Sequence, residues 1–488
     1  MRYYMLAKKV FFPILCGSLL GLSACGDEKS GDDNPVGPVV SYSSDAGVFP
    51  VMSSAGMVLP TSSAGTVVPS STGTTPAVVT PPASGSYATL ATTVNAGMPV
   101  VLYDAWKGFH VTTMENETLI YASLAGDFSS VFPAAYQPAA RVIWSAQTSG
   151  GYKSQCNVPD AADSKMKSRG CTVSEGIGYG MLLSYFANDT ETFNRLWNYN
   201  RGFRKYNGTE LMPWIVESFT YNVVDVASAT DADLDIAAAL VLMYFKTGMD
   251  VYKDDALKII NELWKDEVDQ NSLLLLSGNT AMWNGDGGNA KTFNLSYFSP
   301  VALRLFALVD PNHNWTGVLD AMYTYMAKVQ KGGTGVFPDW SNEAGVAVEA
   351  PNGSSKNSYF QFNKESVRIP WRIAWDYYWY QDPRAAEVLK TLNDFIVAKS
   401  KGNPADLALA TYYSWDLSLG ADKTNNKIST GWLGGWCVTG IAGNTSWLNS
   451  CTDEFNKRLP DNTTASYFMD ILLVMYSQLL NGAYIKPF

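Results

Sequence analysis

Glu175 lies in Ser174-Glu175-Gly176-Ile177-Gly178-Tyr179-Gly180-Met181, one acid among three glycines at the head of an apolar run that continues to Phe186. A second segment, Ala229-Thr230-Asp231-Ala232-Asp233-Leu234-Asp235-Ile236-Ala237, packs three acids into the start of another apolar run. Carboxylates in these settings point to hydrolysis. A glycosidic bond breaks through an oxocarbenium-like transition state, which needs one acid to protonate the leaving oxygen and a second carboxylate to activate water or attack carbon. Glu175 suits the acid: flanking glycines let backbone and sugar approach closely, and semi-burial beside Tyr179 would raise its pKa and keep the proton near neutrality. The competing reading is a helix-start glutamate favoured by the macrodipole, which would lower the pKa instead.

The acidic cluster also has two readings. Ser228 with Asp231, and Thr230 with Asp233, have the spacing of capping boxes, and acids in a first helical turn oppose the helix dipole favourably. Capping needs one or two of these acids rather than three. The surplus favours a polar cluster aimed into a cleft, where neighbouring carboxylates push each other's pKa values apart.

The elements that must hold these residues are helices. Apolar residues recur at helical spacing over Ile236–Phe245, Ala256–Trp264, Val301–Leu308, Val318–Met326, Ile373–Tyr380, Ala386–Ile396 and Phe468–Leu480. Strand-like alternation is confined to short pieces such as Pro99–Leu102 and Leu119–Ala122. The intervening runs hold Gly, Asn, Asp and Trp, which suit turns and contacts rather than core. The pattern predicts an all-α domain with functional loops between helical pairs. A closed double ring is one such architecture, and periodicity alone does not show closure.

Composition narrows the partner. Of 488 residues only 16% are charged while 13% are aromatic, with fifteen Trp and twenty-seven Tyr, more aromatic surface than a core of this size needs. The net charge of −10 argues against nucleic acid, which requires clustered Lys and Arg. Arg2, Lys8 and Lys9 precede the apolar segment Val10–Leu22 and then Leu22-Ser23-Ala24-Cys25, the layout of an export signal whose small residues before a cysteine resemble a bacterial lipobox. Residues 1–25 are therefore expected to be a lipoprotein signal with Cys25 lipidated, and the membrane is met only through that anchor. Residues 26–88, rich in Ser, Thr, Pro and Gly, read as a flexible tether, and 89–488 as the folded domain. Of the remaining cysteines, the local pairs Cys156–Cys171 and Cys437–Cys451 are the favoured disulfides among three possible connectivities. With two histidines, His110 and His313, and no C-x-x-C, a structural metal is not expected, nor is any cofactor.

Five segments together resemble glycoside hydrolase family 8. They are Ser174–Met181, Ala229–Ala237, Asn294-Leu295-Ser296-Tyr297-Phe298-Ser299-Pro300, Phe337-Pro338-Asp339-Trp340 and Arg368-Ile369-Pro370-Trp371-Arg372, in the family's order across most of residues 90 to 485. Each is weak alone; the ordered set is specific. The resemblance implies an (α/α)6 barrel that cleaves β-1,4-linked glucan, xylan or chitosan with inversion at the anomeric carbon, acting as a monomer on a polysaccharide. Glu175 would be the general acid, and Asp231 would hold the attacking water, leaving Asp233 and Asp235 to support the helix start. The family's usual base is an aspartate three residues before the first arginine of Arg368–Arg372. Here that position is Glu365, one methylene longer, with Lys364 beside it. Inverting enzymes keep their carboxyls roughly 6.5–9.5 Å apart, which leaves room for a water that Glu365 could reach. A loop acid, Asp286, Glu343 or Glu349, is the alternative. Arg368 would orient a carboxylate, or else form a structural ion pair. Sugar stacking falls to Trp144, Trp214, Trp283, Tyr297 and Trp371, which lie in or near these motifs or in loop sequence. The altered base position leaves open a carbohydrate-binding protein that kept the cleft and lost efficient catalysis.

Overall fold

A computed structural model describes residues 87–488 except 117–131, 133, 145–155, 157–169, 205–207, 218–222, 286–289, 352, 354, 407–409, 411, 424–427 and 460–465. The expected signal, Cys25 and nearly all of the expected tether lie outside the described residues, as do Asp286 and the whole of Leu119–Ala122. The first described residues already pack against α-helical core residues. The Tyr87 ring stacks on Tyr378 at 4.8 Å, and the Ala88 amide donates to the Tyr378 carbonyl at 3.0 Å.

Twelve helices of nine residues or more organise the described chain: α1 Met98–His110, α2 Ser174–Phe186, α3 Thr190–Phe203, α4 Thr230–Thr247, α5 Asp250–Glu262, α6 Pro300–Val309, α7 Trp315–Gly332, α8 Ile369–Tyr380, α9 Pro383–Ser400, α10 Thr430–Val438, α11 Thr445–Arg458 and α12 Tyr467–Leu480. The even-numbered helices touch in succession, α2 to α4, α6, α8, α10 and α12, and α12 returns to α2. Each is backed by an odd-numbered helix, with α1 behind α12. The result is an (α/α)6 barrel, an inner ring of six helices inside an outer ring of six.

The residues explain the two layers. Every residue of α2, α10 and α12 is buried, so these helices are enclosed around their whole circumference, as an inner position demands. Outer helices such as α3 and α5 bury one stripe and leave charges on the other face. Several outer helices start at side-chain caps: Asp189 accepts from the Thr192 amide at 3.0 Å, and Asn444 from the Trp447 amide at 3.1 Å. In α10, Thr430-Gly431-Trp432-Leu433-Gly434-Gly435-Trp436-Cys437-Val438 has no amphipathic period, because it is buried on all sides. A Cβ on Gly434 would fall 2.7 Å from Tyr476 Cβ, so glycine lets α10 and α12 approach closely. Pro99–Leu102, expected as a strand, begins α1 instead: Pro99 fills a first-turn position where its missing N–H costs nothing.

The strands are short and serve the loops. β1 Val111–Thr113 pairs with β2 Ala140–Val142, and β3 Cys171–Val173, β4 Ile215–Glu217 and β5 Val223–Asp225 form an antiparallel sheet in the order β3-β4-β5. β3 runs directly into α2 and therefore sets the position of Glu175. It is pinned by the Cys156–Cys171 disulfide, while Cys437–Cys451 staples α10 to α11. Both disulfides join the expected local pairs.

Candidate active site

Glu175, Asp231 and Arg368 all sit at or just before the N-terminal ends of inner helices, α2, α4 and α8 respectively, and Glu365 lies in the turn that enters α8. Arg368 joins all three acids. Its Nη1 donates to Glu175 Oε2 at 2.7 Å and to Asp231 Oδ2 at 2.9 Å, and its Nη2 donates to Glu365 Oε2. Nη1 also meets the Tyr179 hydroxyl at 2.9 Å, one helical turn beyond Glu175 on the same face of α2. Asn294, just ahead of the 3-10 turn Leu295–Tyr297, donates its Nδ2 to Glu365 Oε2 at 2.7 Å, while its Oδ1 accepts from the Ser296 amide. One fully buried guanidinium thus serves three nearly buried carboxyl groups.

The charge imbalance governs protonation. Burial pushes Glu175 up to about 7 and Asp231 up to about 6, against the pull of Arg368; the other carboxylates of the cluster add to the rise. A helix N-terminus acts in the opposite sense, but its effect is about 1 kcal/mol or less at most sites, whereas burial can shift a carboxyl by up to ~3–5 pK units. Burial wins, and the two readings of Glu175 resolve toward a carboxyl that keeps its proton into the neutral range. Asp339 is also raised, to about 7, by burial and then by the Glu365 charge. Its Oδ1 accepts from the Asn363 amide and from both the amide and the hydroxyl of Ser366, so it holds the turn that presents Glu365.

An aromatic path leads away from the acids. The Arg368 guanidinium lies 5.5 Å from the centre of the Tyr297 ring, Tyr297 meets Trp340 edge-on at 6.5 Å, and Trp340 stacks on Trp283 at 5.3 Å. Trp283 and Tyr297 are half-buried and keep ring surface available.

Residues 135–431 match the model of the glycosyl hydrolases family 8. The chain belongs to that family. Among curated proteins, this family 8 chain is similar to endoglucanase C of Ruminiclostridium cellulolyticum, 32% identical over 230 residues that make up 46% of each chain. It is also similar to a beta-glucanase of Niallia circulans, 32% identical over 259 residues, covering 50% of this chain and 62% of that protein. The chain spans about half the length of the curated relatives it matches. Among solved structures, the apo beta-1,3-1,4-glucanase from Paenibacillus sp. X4 superposes with a TM-score of 0.62 at 22% identity, covering 82% of this chain and 97% of that one, a likeness of fold.

Within this family 8 site, several expected residues lie elsewhere than anticipated. Trp371 is 0% exposed, and its indole N–H donates to the Tyr484 hydroxyl at 2.7 Å; it is core of α8, not a sugar platform. Trp144 is 3% exposed and packs in the same core, which leaves no ring face for a sugar. Trp214 is half-buried, and its carbonyl accepts from the Ser174 amide at 2.9 Å at the start of α2. The expected capping boxes do not form: Ala229 occupies the N-cap of α4 without a side-chain bond. Asp233 accepts from the Met212 amide of a neighbouring loop, and Asp235 holds Arg372 through paired bonds of 2.7 and 2.9 Å. Glu343 and Glu349, the alternative bases, are exposed, with Glu343 3.9 Å from Lys291. Asn294, Asp339 and Trp340 stood inside the quoted motifs but had no assigned part. Tyr467, whose hydroxyl donates to Glu175 Oε1 at 2.8 Å, was missed altogether.

Proposed function

We propose that this chain is an exported, lipid-anchored, inverting endo-acting glycoside hydrolase that cleaves β-1,4-linked polysaccharide, with cellulose or a related β-glucan as substrate. The observation that carries the reading is the sharing of Arg368 by Glu175, Asp231 and Glu365 while burial holds Glu175 protonated into the neutral range. In this reading Glu175 delivers its proton to the glycosidic oxygen. Asp231, which shares Arg368 Nη1 with the acid, holds the attacking water and the sugar at the point of cleavage. Glu365 takes the proton from that water, which adds to the anomeric carbon from the opposite face and inverts it. Trp283 and Tyr297, with Trp340 between them, stack on the sugar chain, and Trp214 borders the acid. The glucan preference is supported by the endoglucanases and the beta-glucanase among the relatives. Export is supported by the Arg2–Cys25 segment and by two disulfides, which fit an oxidising compartment. No helix among the described residues is long and apolar enough to cross a membrane; the proposed lipid anchor on Cys25 rests on the Leu22-Ser23-Ala24-Cys25 segment.

One observation favours a second reading, a carbohydrate-binding protein with weakened catalysis. Both bonds to Glu365 fall on Oε2, from Arg368 and Asn294, and the longer side chain is drawn back toward the arginine that orients it. Reducing ends released from soluble β-glucan, xylan and chitosan decide between the two. The hydrolase reading expects release from β-glucan that Glu175→Gln suppresses. Binding of all three polymers without release from any would leave only the second reading. NMR of the first product tests inversion: an initial α-anomer is expected, and an initial β-anomer contradicts it.

A further inference from the structure

The two oxygens of Glu175 have different partners. Oε2 receives Arg368 Nη1 at 2.7 Å, and Oε1 receives the hydroxyl of Tyr467 at 2.8 Å. Tyr467 is the first residue of α12 and lies beyond residue 431, where the family match ends. We propose that Tyr467 is a positioning residue for proton delivery: its hydroxyl orients the Glu175 carboxyl and stabilises the charge left on Oε1 when the proton departs. The proposal rests on the assignment of Glu175 as the acid.

Three features of the structure converge on this hydroxyl. The tyrosine is 5% exposed, so its bond to Glu175 is little screened by water. Gly176, next in the chain after the acid, is where the ring lies: a Cβ there would fall 3.1 Å from the Tyr467 hydroxyl and 3.2 Å from its Cε2, with Val142 Cβ at 3.3 Å behind it. That space is tighter than ordinary side-chain contact, so a glycine following the acid lets the tyrosine reach it. The first turn of α12 is also anchored from outside. Asp470, one turn after Tyr467, meets His110 Nε2 at 2.9 Å, and both side chains are buried between α1 and α12.

The chemistry follows from the placement. Arg368 donates into Oε2, so the proton of neutral Glu175 belongs on Oε1. As Oε1–H passes to the glycosidic oxygen, the bond from that oxygen to the anomeric carbon breaks and the leaving sugar departs as an alcohol. Water adds to the anomeric carbon and gives its proton to the base, and Glu175 is left as a carboxylate. Tyr467 donates throughout, but a hydrogen bond to an ionised oxygen is about twice as strong as one to a neutral oxygen. Its contribution therefore grows toward the transition state, which is the condition for accelerating the step rather than merely binding substrate. The charged and titratable groups facing Glu175 are Arg368 and Glu365 from the α8 side, Asp231 from α4, Tyr179 from its own helix and Tyr467 from α12. Among them Tyr467 is a neutral donor that holds the acid down without adding charge.

The test compares Tyr467→Phe with wild type on two substrates, soluble β-glucan and an aryl β-gluco-oligosaccharide whose dinitrophenolate leaves without protonation. On β-glucan kcat is expected to fall by ~10- to 100-fold, the worth of one hydrogen bond to a charged group, with KM unchanged. The alkaline limb of the pH profile moves to higher pH, because the lost donor had lowered the pKa of Glu175. On the aryl substrate the loss disappears. Gly176→Ala, which crowds the same hydroxyl, should show the same dependence on leaving group. Tyr484→Phe, which removes the buried hydroxyl that accepts from Trp371, is the structural control: its melting temperature falls without any such dependence. Equal loss on both substrates, an unmoved alkaline limb, or no loss would overturn the proposal. Glu175→Gln measured alongside separates the two levels: if it depends on leaving group and Tyr467→Phe does not, only the tyrosine assignment fails. If neither does, the acid assignment fails and takes the tyrosine with it.

Discussion

The two ends of α8 hold the same kinds of residue to opposite effect. At its N-terminal end, Arg368 faces three carboxyl groups, and burial lifts Glu175 and Asp231 toward neutrality. Toward its C-terminal end, Asp376 accepts from Arg304 Nε at 2.6 Å and from the Tyr323 hydroxyl at 2.5 Å, and Arg304 continues to Asp382 at 2.6 Å. Arg384 then closes the network onto Asp382 and Asp320. There two arginines serve three acids and several of the groups reach solvent; buried Asp376 is still raised by burial, but Asp382 is lowered to about 2 by hydrogen bonds that outweigh its burial. A charged cluster is therefore a structural clamp when cations nearly match anions and a chemically poised site when they do not. The ratio of charges and the depth of burial distinguish the two, because the residue types are the same.

The largest expected effect comes from removing the outnumbered cation. Arg368→Met leaves three buried carboxyls without their partner and should cost about 3–5 kcal/mol in urea unfolding, with activity abolished. Arg384→Met at the other end, where the side chain is 40% exposed, should cost about 1 kcal/mol or less. Equal costs would break the comparison. Next in size, Glu175→Gln should lower kcat/KM on β-glucan by ~10²- to 10⁴-fold, the usual worth of a general acid, with no loss of stability below pH about 7, where glutamine replaces a carboxyl that is already neutral. Asp376→Asn should do the reverse, lowering the unfolding midpoint and sparing kcat.

The smallest effect is in the pH dependence of stability, and its sign differs between the ends. Glu175 and Asp231 have raised pKa values in the folded chain, so their stabilising contribution is full below their unfolded values and is lost as pH rises through about 6 and about 7. Asp382 has a lowered value, so its contribution is present above its unfolded pKa and is lost as pH falls toward about 2. Urea midpoints against pH should show Glu175→Gln flattening the fall on the neutral side and Asp382→Asn flattening the fall on the acid side. If both variants flattened the same limb, the contrast would be wrong.

What could be read from the sequence follows from how local each signal is. Glu175 and Asp231 announce themselves because glycines and clustered acids at helix starts are short-range patterns. Amphipathic helices such as α5, α7 and α9 are legible through their period. α10 is not, since its nine residues include three glycines and are buried on every side, whereas the longer and equally buried α12 keeps an apolar run, and Pro99 starts a helix that resembled a strand. Trp371 shares a motif with Arg368, but its position on α8 turns it toward Tyr484 and the core, and motif membership carries no information about facing. Tyr467 is 292 residues from Glu175 and meets it only because α12 closes the inner ring against α2. No local pattern marks it.

The pH dependence of kcat/KM on soluble β-glucan tests the central claim, that an outnumbered arginine leaves Glu175 protonated into the neutral range. The account predicts that activity falls above pH about 7 with loss of a single proton. A profile flat through pH ~9, or one already falling near the ordinary glutamate value of about 4.3, would contradict it.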